Sequence, residues 1–328
     1  MLLFGIMTGG VYAMYRGRWT AVHLAILVLF VVKLYFQLIN YSFKGNFDYY
    51  HNLFCIIYLF SSHKKFFCRL GLVSLYFLST ASKITSSWIL GEYFTALKTG
   101  LPIFPRGTEP VMTNLVIGME MVGSWFLFNR TRFVQRAVLG FFVIFHLYSG
   151  ILVGYHYPTI VLPPLLILFG PWFDASGHHV PLDRTAIVGW SVVSSLLLLQ
   201  FIPHLIEGDE RLTLEGNFFG VYMFEANHQC YGTITRDNEV VERFSEANAW
   251  RRCDPYAVWM RAKQAYCSDK ESKYRLAFNH SINGEPFREI VNEPDLCRLK
   301  YYPFSRNTWI KDEKAAPAVG RPVQNFYR

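Results

Sequence analysis

Four ionisable side chains interrupt otherwise apolar stretches of this sequence: Lys33, Lys83, Glu120 and His146. An ionisable group at the depth of a membrane carries a high free-energy cost, so each of the four is a candidate functional residue. The chemistry open to such groups is proton transfer and the stabilisation of developing charge.

Lys83 has two interpretations. Its alkyl chain could carry the ammonium group to a membrane interface. Alternatively, loss of water disfavours the charged form and leaves a neutral amine that can act as a base. Ser79 and Ser82 precede it and leave room for a ligand, and Trp88 suits the headgroup level of a bilayer. The second interpretation predicts a pocket for a substrate or cofactor at these residues.

Glu120 and His146 also have two interpretations each. Glu120 either holds helices together or partners a buried cation, and it is a candidate pocket residue. His146 either forms a hydrogen bond between helices, or it orients a base and donates to a developing oxyanion, which makes it a candidate catalytic residue. Lys33 either reaches the interface or pairs with an acid, and no role is assigned to it.

The composition divides the chain into two parts. Hydrophobic residues make up 52% and charged residues 17%, whereas soluble chains carry about 25% charge. Residues 1–204 contain fourteen Lys and Arg but six Asp and Glu, whereas residues 205–328 contain eighteen of each. This pattern excludes a cytosolic globular enzyme, a disordered or fibrous protein and a nucleic-acid partner. We predict a membrane domain at 1–204 and a separate domain at 205–328.

Apolar runs of about 20 residues predict membrane-spanning helices. The predicted spans are residues 20–39, 48–62, 66–82, 112–128, 133–154, 157–173 and 186–204. Residues 84–98 are amphipathic and predict an interfacial helix. Residues 1–15 are too short to span, and we interpret them as a helix that lacks its beginning. The predicted fold class is an all-α polytopic membrane bundle, with about seven to eight transmembrane helices and a small C-terminal extracytoplasmic α+β domain.

Basic residues predict the orientation. If seven spans alternate, nine Lys and Arg fall on one side and three on the other. The nine mark the cytoplasmic side, so residues 205–328 are expected in a periplasm or lumen. Four cysteines in this tail then predict two disulfides with three possible pairings, or else four free thiols: Cys230, Cys253, Cys267 and Cys297. No CxxC motif or zinc-ligand spacing occurs, and no metal is predicted.

Local signals predict parts of the tail. Residues 240–266 favour a helix in which Asp254 is the cap and Pro255 opens the first turn. Residues 212–224 and 274–282 alternate as strands do. Asn283-Gly284 is typical of a hairpin turn.

Two blocks of the membrane part resemble a known family. Residues 76–97, with Tyr76-Phe77, Lys83 and Trp88, resemble a segment of the vitamin K-dependent gamma-carboxylases and of their bacterial relatives, the horizontally transferred transmembrane (HTTM) domain proteins. Glu120, the Leu-Phe-Asn-Arg-Thr-Arg turn at 127–132 and His146 are similar to a second block. The tail stretches 280–292 and 304–310 resemble the extracytoplasmic region of some HTTM proteins.

The resemblance implies a function. Lys83 holds the position of the base that deprotonates vitamin K hydroquinone, and His146 matches a histidine that shapes the site. Reaction of the resulting anion with oxygen gives a stronger base, which removes a gamma-hydrogen from a peptide glutamate before carbon dioxide adds. The implied cofactor is reduced vitamin K or another hydroquinone, and the implied partners are a membrane lipid or quinone and an exported peptide or protein. His63 corresponds loosely to a further family histidine.

The sequence also departs from the family. Ser82 stands where the family often has a second lysine, and the tail is shorter than the carboxylases' lumenal portion. We therefore keep two alternatives to a lyase-type carboxylase. One is a non-catalytic membrane accessory for the maturation or secretion of an exported peptide. The other is a small-solute transporter, which the absence of an inverted repeat disfavours.

Overall fold

The structure is a computed structural model that describes residues 2–40, 46–95, 100–154, 157–170, 180–216, 220–221, 226–247, 253–268 and 272–312. The chain forms two compact units, each assembled from separate stretches of sequence. Unit 1 comprises residues 1–82, 115–201 and 218–223, and unit 2 comprises residues 83–114, 202–217 and 224–328.

Helices make up most of unit 1, and unit 2 combines short helices with a sheet. The described α-helices are α1 (Leu2–Tyr15), α2 (Trp19–Asn40), α3 (Asn46–Phe60), α4 (Lys64–Ala81), α5 (Ser86–Ile89), α6 (Glu92–Thr95), α7 (Glu109–Met121), α8 (Arg132–Val153), α9 (Pro158–Phe169), α10 (Ile187–Leu199), α11 (Phe201–Leu205), α12 (Glu210–Thr213) and α13 (Pro255–Tyr266). Short 3-10 helices cover Gly123–Phe128 and Arg184–Ala186. The strands are β1 (His228–Arg236), β2 (Glu239–Ala247), β3 (Tyr274–Ile282) and β4 (Arg288–Glu293).

Helix α4 lies at the centre of unit 1. It packs against α3, α9, α10 and the 3-10 helix Gly123–Phe128, and Leu72, Val73 and Tyr76 on it are fully buried. Arg69 Nε donates to the Leu168 carbonyl oxygen at 2.7 Å. This bond satisfies one of the carbonyls that the end of α9 leaves without a helical partner.

Three helices of the described residues are long and apolar enough to cross a membrane: Trp19–Ile39, Arg132–Leu152 and Arg184–Leu205. Their mean hydropathies are 2.2, 1.4 and 1.9. They match the predicted spans 20–39, 133–154 and 186–204. The predicted all-α fold class with seven to eight transmembrane helices is wrong, because the described part of the chain is mixed α and β, with a four-stranded antiparallel sheet and three such helices.

The correction has a physical reason. Helices α3, α7 and α9 have 15, 13 and 12 residues, whereas an α-helical span needs about 20. Helix α4 has 18 residues, but Lys64, Lys65 and Arg69 lie at its beginning. Hydropathy along the chain does not reveal the turns that divide the apolar runs into these shorter helices. Residues 171–173 of one predicted span lie outside the described residues.

The predicted interfacial helix over 84–98 is also different in the structure. Within residues 84–95, which the structure describes, the helical parts are the two four-residue helices α5 and α6. They are separated at Gly91, which has φ +79°, a left-handed conformation that favours glycine. A β-carbon on Gly91 would approach Glu109 within 2.7 Å. The break therefore fits both the backbone conformation and the close approach of the start of α7.

The sheet of unit 2 has the strand order β2-β1-β3-β4, with every pair antiparallel. His228 pairs with Ile282, and Cys230 pairs with His280. Alternate residues of β1 face a core that includes Leu276, Phe278 and Trp259 from α13. The sheet is therefore half-buried, as its alternating sequence predicts.

Two disulfides stabilise unit 2. They join Cys230 to Cys253 and Cys267 to Cys297. The prediction of two disulfides is confirmed, and the structure selects one of the three possible pairings. Each closes a loop of moderate length, with sequence separations of 23 and 30 residues.

The local predictions for the tail had mixed outcomes. The strand at 274–282 is confirmed as β3, and the turn at Asn283-Gly284 is confirmed by left-handed φ angles of +51° and +79°. Asp254 caps α13 by accepting from the Tyr256 N–H, as predicted. The helix predicted over 240–266 is confirmed as α13 at Pro255–Tyr266 but wrong at its start, because residues up to 247 belong to β2. Residues 248–252 lie outside the described residues. The strand at 212–224 is also wrong at its start, where Leu212 belongs to α12.

Candidate functional site

Lys83 is buried in unit 2, with 2% of its surface exposed. Its Nζ lies 5.5 Å from the centroid of the Trp88 ring, which is itself 3% exposed. Thr85 fixes this arrangement, because its N–H donates to the Lys83 carbonyl and its hydroxyl accepts from the Trp88 N–H. A six-residue segment thus holds an amine above an aromatic face, a favourable geometry for a cation or a polar hydrogen.

The Trp88 indole Nε1–H is buried and meets no hydrogen-bond acceptor within the described residues. Tyr93 and Phe94 pack against the Trp88 ring, at centroid distances of 4.6 and 5.7 Å. A buried donor without an acceptor loses the hydrogen bond that it makes in water. Such a donor beside a buried amine is a candidate binding position for a ligand oxygen.

His146 is fully buried in unit 1, within the candidate span Arg132–Leu152. Its Nε2 lies 2.5 Å from the Tyr76 hydroxyl oxygen. The imidazole also lies against the rings of Phe142 and Tyr157, at centroid distances of 6.4 and 5.6 Å. The bond to Tyr76 joins α8 to α4, so the interhelical interpretation of His146 has a defined partner.

Glu120 is also fully buried in unit 1, and its Oε2 lies 2.6 Å from the Thr80 hydroxyl oxygen. Ser79 is fully buried and donates to the Tyr76 carbonyl at 3.0 Å. Ser82 is half-buried and donates to the Ser79 carbonyl at 2.9 Å. The two serines thus hydrogen-bond along the end of α4, and Glu120 is positioned by a threonine that sequence reasoning did not single out.

Two tyrosines complete the polar cluster of unit 1. The hydroxyl oxygens of Tyr50 and Tyr157 lie 3.2 Å apart, and both side chains are buried. Sequence reasoning did not identify them, since they are separated by 107 residues and isolated aromatics in apolar runs are ordinary core residues. We call Tyr50, Tyr76, Glu120, His146 and Tyr157 the phenol cluster.

Two other polar residues of unit 1 have partners elsewhere. Lys33 Nζ lies 3.1 Å from Asp48 Oδ1, so its pairing with an acid is the interpretation that the structure supports. His63 Nε2 lies 3.0 Å from Asp183 Oδ2, within hydrogen-bond distance, and both side chains are partly exposed. The hydrogen bond from Thr185 and the contact with His63 lower the pKa of the Asp183 carboxyl.

A histidine pair lies in the core of unit 2. His280 Nε2 is 2.9 Å from His228 Nδ1, and His280 Nδ1 is 2.8 Å from the Leu212 carbonyl oxygen. The carbonyl can only accept, so His280 donates from Nδ1 and accepts at Nε2 from His228. Burial lowers the pKa of His280 to about 3, with smaller contributions from His228 and Arg288. His280 is therefore neutral at ordinary pH.

The described residues contain no group of three or more His, Cys, Asp or Glu side chains that could hold a metal ion. Comparison with models of protein families, with curated proteins and with solved structures finds no match to this chain.

Proposed function

We propose that this protein is a membrane enzyme in which Lys83 acts as a base towards a reduced, lipid-soluble quinone. The proposed outcome is carboxylation and epoxidation chemistry on an exported peptide or lipid. The resemblance of residues 76–97 to the gamma-carboxylases and HTTM proteins supplies the reaction class. The three helices that are long and apolar enough to span a membrane support access to a lipid-soluble reactant.

The observation that carries the proposal is the pair formed by Lys83 and Trp88. Both side chains are buried, and the indole Nε1–H has no acceptor among the residues described. A hydroquinone oxygen is both an acceptor and a donor. The donor set therefore fits such a group, with Trp88 Nε1 as the donor to the oxygen and Lys83 Nζ as the acceptor of its proton.

The residues of this chain would position the reacting groups and exclude water from them. Lys83 Nζ would hold the abstracted proton, and its burial against the Trp88 ring keeps water away from it. Tyr93 and Phe94 pack on the Trp88 ring in turn. Exclusion of water protects a strong base from being quenched. When bound, a hydroquinone supplies the reducing equivalents for an oxygen-dependent step.

We extend the proposal to His146 and Glu120. His146 is bonded to a buried phenol, and Glu120 to a buried hydroxyl. Groups held in this way can orient a proton or stabilise charge without solvent rearrangement. Their part in the reaction, and that of Ser79 and Ser82, rests on the resemblance.

We also propose that unit 2 functions outside the cytoplasm. Two disulfides support this location, because such bonds persist in oxidising compartments and are rare in the cytosol. An exported peptide would reach Lys83 from that side.

The experiment uses the full chain in detergent, supplied with reduced quinones, oxygen, labelled bicarbonate and a glutamate-containing peptide. Label incorporation and quinone oxidation by the native protein, with loss of both in Lys83→Met, is the expected result. Methionine keeps the volume of the buried side chain and removes the amine. Lys311→Met is the matched control, because Lys311 lies at the surface beside Glu289.

The enzymatic proposal would be contradicted if the native protein showed no turnover and if cells expressing Lys83→Met had the same phenotype as cells expressing the native protein. That result would favour the accessory function instead. Extraction of the purified protein for a bound lipid quinone tests the cofactor separately from the reaction.

A further inference from the structure

The segment that carries Lys83 is joined by side-chain hydrogen bonds to the end of the β1–β3 ladder. Asn283 Nδ2 donates to Ser87 Oγ at 3.2 Å, and Asn227 Nδ2 donates to the Tyr93 carbonyl at 2.5 Å. Ser87 lies in α5 and Tyr93 in α6, so each short helix has one link. All four residues belong to unit 2.

The two asparagines are themselves locked together. Asn227 N–H donates to Asn283 Oδ1 at 2.8 Å, and Asn283 N–H donates to the Asn227 carbonyl at 2.9 Å. They lie one position beyond the last pair of the ladder, His228 with Ile282, since Asn227 precedes His228 and Asn283 follows Ile282. Asn283 takes the left-handed conformation, with φ +51°, which asparagine and aspartate tolerate better than most residues.

The sheet does not need the two side-chain amides that reach Ser87 and Tyr93. The backbone groups of Asn227 and Asn283, and the Asn283 Oδ1, already close the ladder. Helices α5 and α6 have four residues each, and helices this short are unstable without tertiary support. The conformation of the Lys83 segment therefore depends on its external contacts.

We infer that Asn227 and Asn283 form a clamp whose two amide groups position the Lys83 segment, so that they are positioning residues for Lys83. This inference rests on the proposed function, because it concerns the same amine. The link from Asn283 to Lys83 is continuous: Ser87 Oγ lies 3.4 Å from Thr85 Oγ1, and the Thr85 N–H donates to the Lys83 carbonyl.

The two links differ in their chemistry, and this difference makes them testable. Tyr93 offers a carbonyl oxygen, so position 227 must supply a donor. Ser87 offers a hydroxyl, which can donate as well as accept, so a carboxylate at position 283 can keep a bond to it. Asn283→Asp also retains an acceptor for the Asn227 N–H. Asn227→Asp and Asn283→Asp thus make the same change in charge, but the first breaks its link and the second retains it.

The experiment measures how quickly Lys83 reacts with acetic anhydride in the full chain in detergent. Mass spectrometry follows acetylation of Lys83 and of Lys263, which serves as the internal reference. Lys263 is half-buried in the same unit, 4.6 Å from the centroid of the Trp259 ring, and its Nζ donates to the Leu299 carbonyl. General loosening of unit 2 raises both rates, whereas loss of the clamp raises that of Lys83 alone.

Acetylation of Lys83 is expected to rise about tenfold in Asn227→Asp and to change by less than about twofold in Asn283→Asp, because one lost hydrogen bond changes a local opening equilibrium by roughly a factor of ten. Ser87→Ala removes only the hydroxyl that accepts from Asn283, and the rate of Lys83 acetylation is expected to rise about threefold to tenfold. Equal rates in the two aspartate variants, an unchanged rate in Ser87→Ala, or a parallel rise at Lys263 would each overturn the clamp. Acetylation requires no turnover, so failure of the clamp is distinguishable from failure of the proposed reaction.

Discussion

The Thr80 hydroxyl oxygen lies 2.6 Å from Glu120 Oε2, and both side chains are buried in unit 1. The contact joins α4 to α7, forty residues apart in the sequence. A carboxyl group in this position needs hydrogen-bond donors, because burial removes the water that would otherwise solvate it.

Replacement of Thr80 by valine tests this contact. Thr80→Val keeps the shape of the side chain and removes the hydroxyl, so it should lower the free energy of unfolding by about 1–3 kcal/mol. Thr80→Ser keeps the hydroxyl and should have a smaller effect. Denaturation in detergent gives the comparison, and equal losses in the two variants would show that the hydroxyl contributes nothing.

The histidine pair predicts acid sensitivity in unit 2. The pKa of His280 is lowered to about 3 in the folded protein, whereas an unfolded histidine titrates near 6.5. Between these values the unfolded chain binds more protons, so stability is present above pH ~6.5 and falls by up to ~1.4 kcal/mol per pH unit as the pH drops towards 3.

The measurement is urea unfolding at several pH values, for the native chain and for His280→Gln. The variant lacks the titrating group, so its stability should fall less steeply with acid, although its stability at neutral pH is lower. Identical slopes in the two proteins would assign the acid sensitivity to other residues.

The two disulfides should differ in their contribution to stability. Their loops are similar in length, so chain entropy contributes roughly 3 kcal/mol in each case. Cys230 and Cys253 are buried, however, whereas Cys267 and Cys297 are only half-buried. The double alanine variant of the buried pair also leaves a cavity and should lose more stability.

The melting temperatures of the two double variants show which disulfide contributes more to stability. A larger loss from the Cys267–Cys297 pair would contradict the role assigned to burial.

Two glycines on candidate spans should respond oppositely to alanine. A β-carbon on Gly189 would overlap the ring of Phe67, which is fully buried on α4. Gly189→Ala should therefore destabilise unit 1 by about 1–3 kcal/mol, through overpacking. A β-carbon on Gly140 meets nothing within 4 Å, so Gly140→Ala should be neutral or stabilising by up to ~1 kcal/mol.

Thermal denaturation of the two single variants, prepared in the same detergent, makes the comparison. An equal change in melting temperature in the two variants would mean that α10 does not pack closely on α4 at Gly189.

Features that depend on neighbouring residues were predicted correctly from the sequence, whereas contacts between residues far apart in the chain were not. Local signals worked: Asp254 caps α13, and Asn283-Gly284 forms a turn. Lys83, Glu120 and His146 were identified because each interrupts an apolar run, and all three are buried. Their partners were not predicted, because Tyr76, Thr80 and the asparagine clamp are brought to them only by tertiary folding.

The error in the fold class has a different origin. Hydropathy measures composition along the chain, and it does not locate a break such as the 3-10 helix that follows Met121. It also overlooked β2, since Glu242, Arg243 and Glu246 make that stretch look like a charged helix. Strand pairing with β1 outweighs this local tendency.

Unit 2 is assembled from separate stretches of the chain, and this has a consequence for biosynthesis. Ser87 leaves the ribosome long before Asn283, its partner 196 residues later in the chain. The segment with the candidate base therefore remains incompletely anchored until β3 and the turn after it have been synthesised. A chain that stops before β3 would never acquire that anchor, so premature termination should leave the Lys83 segment without its link to the sheet.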